Sequence, residues 1–306
     1  MTTRKIFVYG FLAVILALAF TACSGSGGGG KSINSATELK EYMDKQPANS
    51  PDKPIKVAMK VNEMMIKDIV EVLNNAGKYV SLDLSGSPLT EIPVRAFSFC
   101  KTLVGIIIPN SVTSIGVGAF AGTGLTSVTI PNSVTSIGVG AFGACTTTSI
   151  TIPNSVTHLS GFNNNQLTSV TIPNSVTTIG NGAFQDNQLT SVTIPNSVTT
   201  IGWNAFMNNQ LTSVTIPNSV TTIGDYAFAF NQLTSVTIGN SVTEIGSNAF
   251  FCENLTSVTF QGTIASDNFS SEAFYGDLKR KYLTGGIGTY TTNAPVHRWN
   301  SIWTKQ

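Results

Sequence analysis

Charged residues are scarce in this chain of 306 residues, since they make up 11% of it against roughly 25% in an average soluble domain. The net charge is +1, and the segment from Leu103 to Phe260 contains no Lys or Arg. Binding to a nucleic acid backbone or to an anionic membrane surface needs a basic patch that releases counterions. The composition therefore excludes nucleic acid as an expected partner.

Residues that carry catalysis or hold metals are equally scarce. Neither His158 nor His297 has another His, a Cys or a carboxylate at metal-ligand spacing, and one His in the repeats cannot complete a Ser-His-Asp arrangement. Gly138, Gly140 and Gly143 match G-x-G-x-x-G, but no helix pattern or ribose-binding acid follows them. We therefore expect no enzyme, no cofactor and no metal site.

A hydrophobic run long enough to span a membrane is also missing near the N-terminus. Ile6 to Phe20 is an apolar run of 15 residues, whereas a spanning helix needs ~20. Arg4 and Lys5 precede the run and small residues follow it, which is typical of a cleaved signal peptide. An uncleaved anchor is the alternative.

The end of this segment, "FTAC" from Phe20 to Cys23, resembles bacterial lipoproteins, whose precursors are cut immediately before a cysteine that receives lipid. The resemblance implies a signal peptide over 1–22, lipid on Cys23 and an exported protein anchored to the envelope, at the outer membrane or cell surface. The membrane would then be contacted through the lipid alone. Residues 23–31 are rich in Gly and Ser and suit a flexible tether.

Residues 32–78 predict a small α/β cap. Ser35 and Glu38 stand at capping-box spacing, so a helix is expected to begin there and to run to about Lys45. Alternating apolar residues predict strands near 55–61 and 79–84, with a helix over about 62–75 between them. A strand, helix and strand of this size form a crossover with parallel strands. A separate binding domain is the alternative to a cap.

Most of the rest of the chain consists of one repeated amino-acid sequence. "LTSVTIPNSVTTIG" runs from Leu189 to Gly202 and returns unchanged from Leu211 to Gly224, a period of 22 residues. A looser copy covers Tyr79 to Thr102, so that nine repeats, called rungs below, are expected. Such a period is typical of a solenoid. The other rungs begin at Leu103, Leu125, Thr147, Leu167, Leu189, Leu211, Leu233 and Leu255.

The chemistry of one rung explains the repetition. Numbering a rung from its leading Leu, positions 1, 4, 6, 10, 13, 17 and 18 are apolar and are expected to point inward, while Ser at 3 and Thr at 5 point outward. Pro at position 7 ends the first strand, and positions 10 to 13 suit a second, short strand. Asn at position 21 is suited to bond backbone at the return to the next rung. One rung cannot bury its apolar edge alone, but stacked copies bury each other's.

The repeat "LTSVTIPNSVTTIGxxAFxxNQ" from Leu189 onward resembles the BspA-type, or Treponema-type, leucine-rich repeat. The resemblance implies a mainly β, right-handed leucine-rich-repeat solenoid over 79–274. The open end of such a stack needs covering, and a C-terminal cap over 275–306 is expected to cover it, with the large apolar residues Trp299 and Trp303 over the last rung. The resemblance also implies a surface protein that binds host matrix or cell-surface proteins, or other bacteria. A structural envelope spacer and a glycan-binding module stay open as alternatives.

Two surfaces are candidates for binding. Positions 15, 16, 19 and 20 vary between rungs, and the aromatic and Met residues there, which we call the corner patch, are Trp203, Met207, Tyr226, Phe230 and Phe251. Such a patch suits a protein or glycan partner, unless these side chains merely cover the corner. The second surface is the column of Ser and Thr at positions 3 and 5, which suits sugars; ice binding is a weaker alternative, and a purely solubilising role is the simplest.

Three cysteines fall near the corner, at Cys100, Cys145 and Cys252. Rungs are expected to be about 4.8 Å apart, which places these cysteines too far from one another for a disulfide. We expect small buried residues with free thiols, with reactive or intermolecular thiols as the alternative.

Overall fold

The computed structural model describes residues 33–293 and 301–306. The described part is mainly β and forms a parallel β-solenoid of about nine turns, as predicted. The helices are α1 (Ala36–Asp44), α2 (Glu63–Ala76) and α3 (Leu278–Gly285), and a 3₁₀ turn covers Ser266–Asn268. The strands are β1 (Ile55–Ala58), β2 (Val80–Asp83), β3 (Glu91–Ile92), β4 (Leu103–Ile107), β5 (Ser114–Ile115), β6 (Ser127–Thr129), β7 (Ser136–Ile137), β8 (Ser149–Thr151), β9 (His158–Leu159), β10 (Thr178–Ile179), β11 (Thr200–Ile201), β12 (Ser213–Ile216), β13 (Thr222–Ile223), β14 (Ser235–Ile238), β15 (Glu244–Ile245), β16 (Ser257–Phe260), β17 (Gly288–Thr291) and β18 (Thr304–Lys305).

The N-terminal segment has the predicted helices and crossover. Ser35 caps α1 by accepting a hydrogen bond from the Glu38 backbone N–H at 3.1 Å, and α2 ends at Gly77 in a left-handed conformation. Strands β1 and β2 are parallel, and β2 pairs in turn with β4 of the following rung. Because the sheet order is β1-β2-β4, the segment continues the strand stack of the solenoid.

Seven inward positions per rung form the core, as the repeat predicts. In the rung that begins at Leu211, all seven of these side chains are at most 4% exposed. The Phe at position 18 forms a ladder in which consecutive ring centroids are 4.9 to 5.9 Å apart and nearly parallel. Burying one such ring stabilises the fold by roughly 1.5–3 kcal/mol. The ladder contains Phe97, Phe120, Phe142, Phe162, Phe184, Phe206, Phe228, Phe250 and Phe274.

The two strand stacks of the solenoid differ. The second stack is one sheet of eight two-residue strands, ordered β15-β13-β11-β10-β9-β7-β5-β3. The first stack, which we expected to have a strand in every rung, is interrupted: β6 pairs with β8, β12 begins a new sheet, and the rungs that begin at Leu167 and Leu189 have no strand there.

The interruption coincides with a wider gap between neighbouring rungs. The bond from Thr190 N–H to Thr168 C=O is 3.5 Å long, whereas the equivalent bond from Thr234 to Thr212 measures 2.9 Å. Val170 and Val192, at an inward position, are only half-buried. The expectation of a strand in these two rungs was therefore wrong, because the ladder hydrogen bonds that define a strand are stretched there.

The C-terminal segment closes the last rung. Strand β17 pairs antiparallel with β16, and β18 pairs antiparallel with β17. Trp303 is fully buried and donates its Nε1–H to the Tyr275 carbonyl oxygen at 2.9 Å, in agreement with its predicted place. Trp299 lies outside the described residues.

Candidate functional site

Most rungs turn their corner through two residues in the left-handed region, at positions 16 and 20. Their φ angles lie between 53° and 69° in the rungs that begin at Leu103, Leu125, Leu167, Leu189 and Leu211. Residues that carry a side chain rarely adopt this backbone region, and Gly, Asn and Asp tolerate it best. Most rungs follow this rule, with Gly118, Gly122, Gly140, Gly182, Asp186, Asn204 and Asn208 at these positions.

Three rungs break the rule. The first rung has Arg95 and Phe99 at these positions, the rung that begins at Leu125 has Ala144, and the rung that begins at Leu211 has two aromatic residues. Tyr226 has φ 56° and Phe230 has φ 55°, and holding a bulky residue there costs roughly 1–2 kcal/mol. Both side chains are exposed, at 38% and 47%. The strained backbone therefore exposes two aromatic rings to solvent, and neither ring fills the core.

The corner patch divides into exposed and half-buried members. Trp203 is 61% exposed, whereas Met207 and Phe251 are half-buried. The Phe251 ring contacts Phe230 edge to face at 5.3 Å and lies 4.5 Å from the Tyr275 ring. The structure thus joins Phe230 and Phe251 directly and adds Tyr275, which follows the ladder residue Phe274 as Phe251 follows Phe250.

Two small cavities flank Phe251. The first pocket, of about 190 Å³, is lined by Tyr226, Phe251 and Tyr275 and has Glu272 at its edge. The second pocket, of about 350 Å³, lies between Phe230 and Phe251, with Glu253 in its lining. Both are near or below the low end of ~300–1,000 Å³ for small-molecule sites. They therefore suit individual side chains of a larger partner.

A second apolar surface was missed by the sequence reasoning. Val94, Val117 and Val139 occupy successive rungs at the position that Trp203 holds later, and they are 63%, 49% and 61% exposed. Phe99, at 71% exposure, lies near the start of this column. The signal was present, since three successive valines at a variable position stand out from Asn181 and Asp225 in the same column.

The hydroxyl face is exposed but not continuous. Ser213 and Thr215 pair in register with Ser235 and Thr237, while the rungs before them lack the strand that would continue the columns. A cleft of about 420 Å³ opens at this break, between Ser191 and Ser213. The remaining predicted members, which are Ser127, Thr129, Ser169, Thr171 and Thr193, are also exposed.

Asn at position 21 is a buried structural residue. Asn209 accepts a hydrogen bond from Leu189 N–H at 3.0 Å and donates to the carbonyl oxygens of Phe184 and Phe206 at 2.8 and 3.2 Å. Asn187 and Asn231 repeat this arrangement. The prediction that this Asn bonds the backbone at the return to the next rung is confirmed.

The three corner cysteines are buried and free, as predicted. Cys145 takes the place of the position-21 Asn, and its thiol donates to the Phe120 carbonyl oxygen at 3.1 Å. Burial raises the pKa of the Cys100 and Cys145 thiols and raises that of Cys252 to about 11. A protonated, enclosed thiol is a poor nucleophile, so these residues serve packing.

Sites for metals or phosphates gain no geometric support in the described ranges. Within 33–293 and 301–306, no three His, Cys, Asp or Glu residues stand close enough to share a metal ion. His158 is exposed beside Thr157, and His297 lies outside the described residues. Gly138 is explained by packing, since a Cβ there would come within 2.5 Å of the Val117 nitrogen.

Comparison with known proteins decides the family. The model of the BspA type leucine rich repeat region matches residues 90–162 and 159–280, in six copies, which is more than half of the chain. The chain belongs to the BspA-type leucine-rich repeat family. Among curated proteins, none matches it.

Several solved structures resemble this BspA-type chain. A leucine-rich repeat protein from Bacteroides ovatus is 22% identical with a TM-score of 0.56, and the match covers 68% of this chain and 59% of that one. The chain thus spans less than two thirds of that protein, which shares its fold. A leucine rich cell surface protein from Faecalibacterium prausnitzii is 27% identical over 69% of this chain and 72% of that one, with a TM-score of 0.40.

None of the helices in the described part of this BspA-type chain combines the length and the apolar character needed to cross a membrane.

Proposed function

We propose that this BspA-type protein is displayed at the bacterial surface and binds proteins of the host matrix, of host cells or of other bacteria through its corner patch. The leucine-rich repeat solenoid is an interaction fold, and its family is typically non-enzymatic. In the described corners, no three His, Cys, Asp or Glu residues lie close enough to share a metal ion, and the thiols are buried. Protein binding is therefore the function that the arrangement supports best.

The observation that carries this proposal is the pair of aromatic residues at left-handed positions. Asn204 and Asn208 occupy the same two positions one rung earlier without strain. Tyr226 and Phe230 instead combine backbone strain with solvent exposure, two costs that packing inside the chain recovers only in part. Backbone strain that persists at a surface points toward function, and exposed aromatic residues are typical anchors of protein interfaces.

The proposed surface location rests on the N-terminal sequence and on the family. Cys23, the proposed lipid attachment site, lies outside the described residues. A similar protein from Faecalibacterium prausnitzii is described as a cell surface protein. Labelling of growing cells with an alkyne analogue of palmitate tests the anchor: label on the full chain and none on a Cys23→Ser variant is expected, and equal labelling would contradict lipidation at this residue.

The binding test uses the rung sequences themselves as a guide. In a triple variant Trp203→Asn, Tyr226→Asn and Phe230→Asn, each new residue is one that another rung already carries at that position, as at Asn181, Asn204 and Asn208. The fold is therefore expected to remain intact while the rings are removed. A matched control variant replaces Val94, Val117 and Val139 with Asn on the other exposed apolar column.

Both variants are compared with the wild type for binding to immobilised matrix proteins, to host cells and to other bacteria. Loss of binding by at least tenfold in the triple variant, with the control unchanged, supports the corner patch. Loss of binding in the valine variant alone would indicate that the binding site lies on the valine column instead of the corner patch. If neither variant changes binding, or if the wild type binds none of these partners, the proposal fails in favour of the hydroxyl face or of a spacer without a ligand.

A further inference from the structure

The seven residues "LTSVTIP" occur in three successive rungs and differ in structure between them. The three copies begin at Leu167, Leu189 and Leu211. The third copy alone forms a strand, β12, which pairs with β14. The Val at position 4 differs in the same way, since Val214 is 4% exposed whereas Val170 and Val192 are half-buried. Because the residues are the same, the difference arises from the contacts that each rung makes with its neighbours.

The first strand stack is open between these copies. The bond from Thr190 N–H to Thr168 C=O measures 3.5 Å, against 2.9 Å for the equivalent bond from Thr234 to Thr212. The cleft of about 420 Å³ described above lies between the second and third copies. Few backbone hydrogen bonds therefore hold this face of the three rungs together.

Between the second and third copies the opening extends to the Ser at position 9. Ser175 and Ser197 each donate a hydroxyl hydrogen bond to the preceding rung, to the Val156 carbonyl oxygen at 2.8 Å and to the Val176 carbonyl oxygen at 2.7 Å. The Ser219 hydroxyl is buried and has no such partner among the residues that the structure describes. The bond that joins the earlier rungs is thus missing at this interface.

The same rungs are closed on their other two sides. In the second stack, β11 pairs with β13, and Gly224 N–H donates to the Ile201 carbonyl oxygen at 2.8 Å. At the corner, Phe206 N–H donates to the Ala227 carbonyl oxygen at 2.7 Å. The rungs are therefore held at the second stack and the corner, and they spread apart at the first stack.

The Phe ladder in the core follows this spreading. Its ring centroids are 5.9 Å apart from Phe162 to Phe184 and 5.6 Å apart from Phe184 to Phe206, against 5.2 Å from Phe206 to Phe228. The ring planes are tilted by 17° and 18° in the first two pairs and by 11° in the third. The rings stay stacked while the distance between them changes, so the core tolerates a variable spacing here.

We propose that the rungs that begin at Leu167, Leu189 and Leu211 form a hinge of the solenoid. The first stack opens and closes at these rungs, while the second stack and the corner act as the axis. Segments with few backbone hydrogen bonds open most readily, and hinges absorb the motion of the rigid parts on either side. The rungs before and after the hinge then bend relative to each other as two rigid halves.

The corner patch lies on the closed side of this hinge. Trp203 belongs to the second of the three rungs, and Tyr226 and Phe230 belong to the third. Bending about this axis changes the curvature of the solenoid and leaves the patch itself nearly unchanged. The hinge does not depend on the proposed function, and its tests use the protein without a partner.

The first test is native-state proteolysis of the unmodified full chain with thermolysin, which cleaves before Val, Ile and Leu. The three identical copies have the same intrinsic susceptibility, so any difference in rate reports local opening. We expect cleavage within the first two copies to be at least about tenfold faster than within the third. Intact-mass spectrometry locates each cut, because the two complementary fragments have distinct masses even though the copies share one sequence.

The internal control makes the outcome decisive. Faster cleavage after Leu167 and Leu189 than after Leu211 supports the hinge. Equal rates in the three copies, or resistance of the first two, would overturn it.

The second test measures the bending by electron–electron resonance between two spin labels. One pair, Ser127→Cys with Ser235→Cys, spans the hinge along the first stack, and the matched pair, Ser136→Cys with Glu244→Cys, spans the same rungs along the second stack. All four positions are exposed, so the fold is expected to survive, and circular dichroism verifies it. Both pairs are made in a Cys23→Ser background, and the wild-type thiols in the core are buried.

The two label pairs are expected to give different distance distributions. Each pair spans five rung steps, or ~24 Å at the ordinary strand spacing. The first-stack pair should give a longer mean distance and a distribution about twice as wide as the second-stack pair. Equally narrow distributions for the two pairs would show that the spreading is fixed, and the hinge would be refuted.

Discussion

The ring of Phe251 meets the ring of Phe230 edge to face, with the centroids 5.3 Å apart and the planes at 70°. The two residues belong to consecutive rungs and to different corner positions, 19 and 20. This contact recovers part of the cost of holding Phe230 at φ 55°, since an aromatic pair contributes about 0.5–1.5 kcal/mol beyond its burial. Tyr226, at the other left-handed position of the same rung, is therefore the cleaner probe of backbone strain.

Replacing Tyr226 with Asn is expected to stabilise the protein. Asn adopts left-handed angles more readily than Tyr, and Asn204 occupies the same position one rung earlier with φ 56°. The free energy of unfolding should rise by about 0.5–1 kcal/mol, measured by urea denaturation followed by circular dichroism. Asp225→Asn, one residue earlier and outside the left-handed region, is the control and should change stability little. A Tyr226→Asn variant that is less stable than the wild type would show that ring packing outweighs the strain.

Replacing Gly224 with Ala is expected to destabilise the solenoid strongly. A Cβ there would lie 2.7 Å from the Trp203 nitrogen and 2.8 Å from the Gly202 carbonyl carbon, and backbone atoms of a neighbouring rung cannot move aside cheaply. The expected loss is about 1–3 kcal/mol, as for other overpacked sites, seen as a lower thermal unfolding midpoint.

Gly180 provides the matched control, because it holds the same rung position with more room. The nearest atoms to a Cβ at Gly180 lie 3.3 Å away, at the Leu159 carbonyl oxygen and the Ser160 Cβ. Gly180→Ala should therefore cost clearly less than Gly224→Ala. Equal losses would mean that the close approach between rungs is not what requires glycine here.

The sequence predicted the features that belong to a single rung, but it did not predict those that depend on the neighbouring rungs. Inward positions follow from the alternation of apolar residues, and most of them are buried as expected, although Val170 and Val192 are only half-buried. Yet the text "LTSVTIP" forms strand β12 after Leu211 and no strand after Leu189. Identical residues differ in structure because a parallel strand is defined by hydrogen bonds to the next rung, and the spacing between rungs is a property of the whole stack.

The candidate site shows the same difference between features of a single rung and features that depend on several rungs. Variation at positions 15, 16, 19 and 20 drew attention to Trp203, Tyr226 and Phe230, which proved to be exposed. The frequent Gly and Asn residues at positions 16 and 20 could have revealed the left-handed backbone angles, because these two residue types adopt such angles most readily. Tyr275 follows Ala273 and Phe274 as Phe251 follows Ala249 and Phe250, but its rung is longer than the others before this pair, and its contact with Phe251 arises only through the packing of two rungs.

Removing the side chain of Asn209 is expected to be among the most damaging single changes in a rung. Asn209→Ala would leave the Leu189 N–H and the carbonyl oxygens of Phe184 and Phe206 without this partner in a buried corner. Each unsatisfied buried group costs about 1–3 kcal/mol, so we expect a loss of about 3 kcal/mol in the free energy of unfolding. Gln210→Ala, an exposed neighbour, should change it by less than about 0.5 kcal/mol. Similar losses for both would refute the structural role of the Asn ladder.

The buried thiol of Cys252 makes stability depend on alkaline pH. Its pKa is raised from 9.0 to about 11, chiefly by burial. Between these two values the unfolded chain releases the thiol proton while the folded chain keeps it, so the unfolded state binds fewer protons and stability falls as the pH rises. The contribution is fully present below pH 9 and is lost progressively up to about pH 11.

The Cys252→Ala variant lacks the thiol and therefore this dependence of stability on pH, so it serves as the reference for the wild type. At pH 8 the variant should be less stable than the wild type, because a buried side chain is shortened. At pH 10.5 the deficit should shrink by about 2 kcal/mol, since each unit of pKa difference is worth ~1.36 kcal/mol. Urea unfolding of both proteins at the two pH values tests this, with the exposed substitution Ser235→Ala as a control whose effect should not vary with pH. A deficit that stays constant from pH 8 to 10.5 would show that the thiolate is as favourable in the folded chain as in the unfolded one, and that the Cys252 site is open to water.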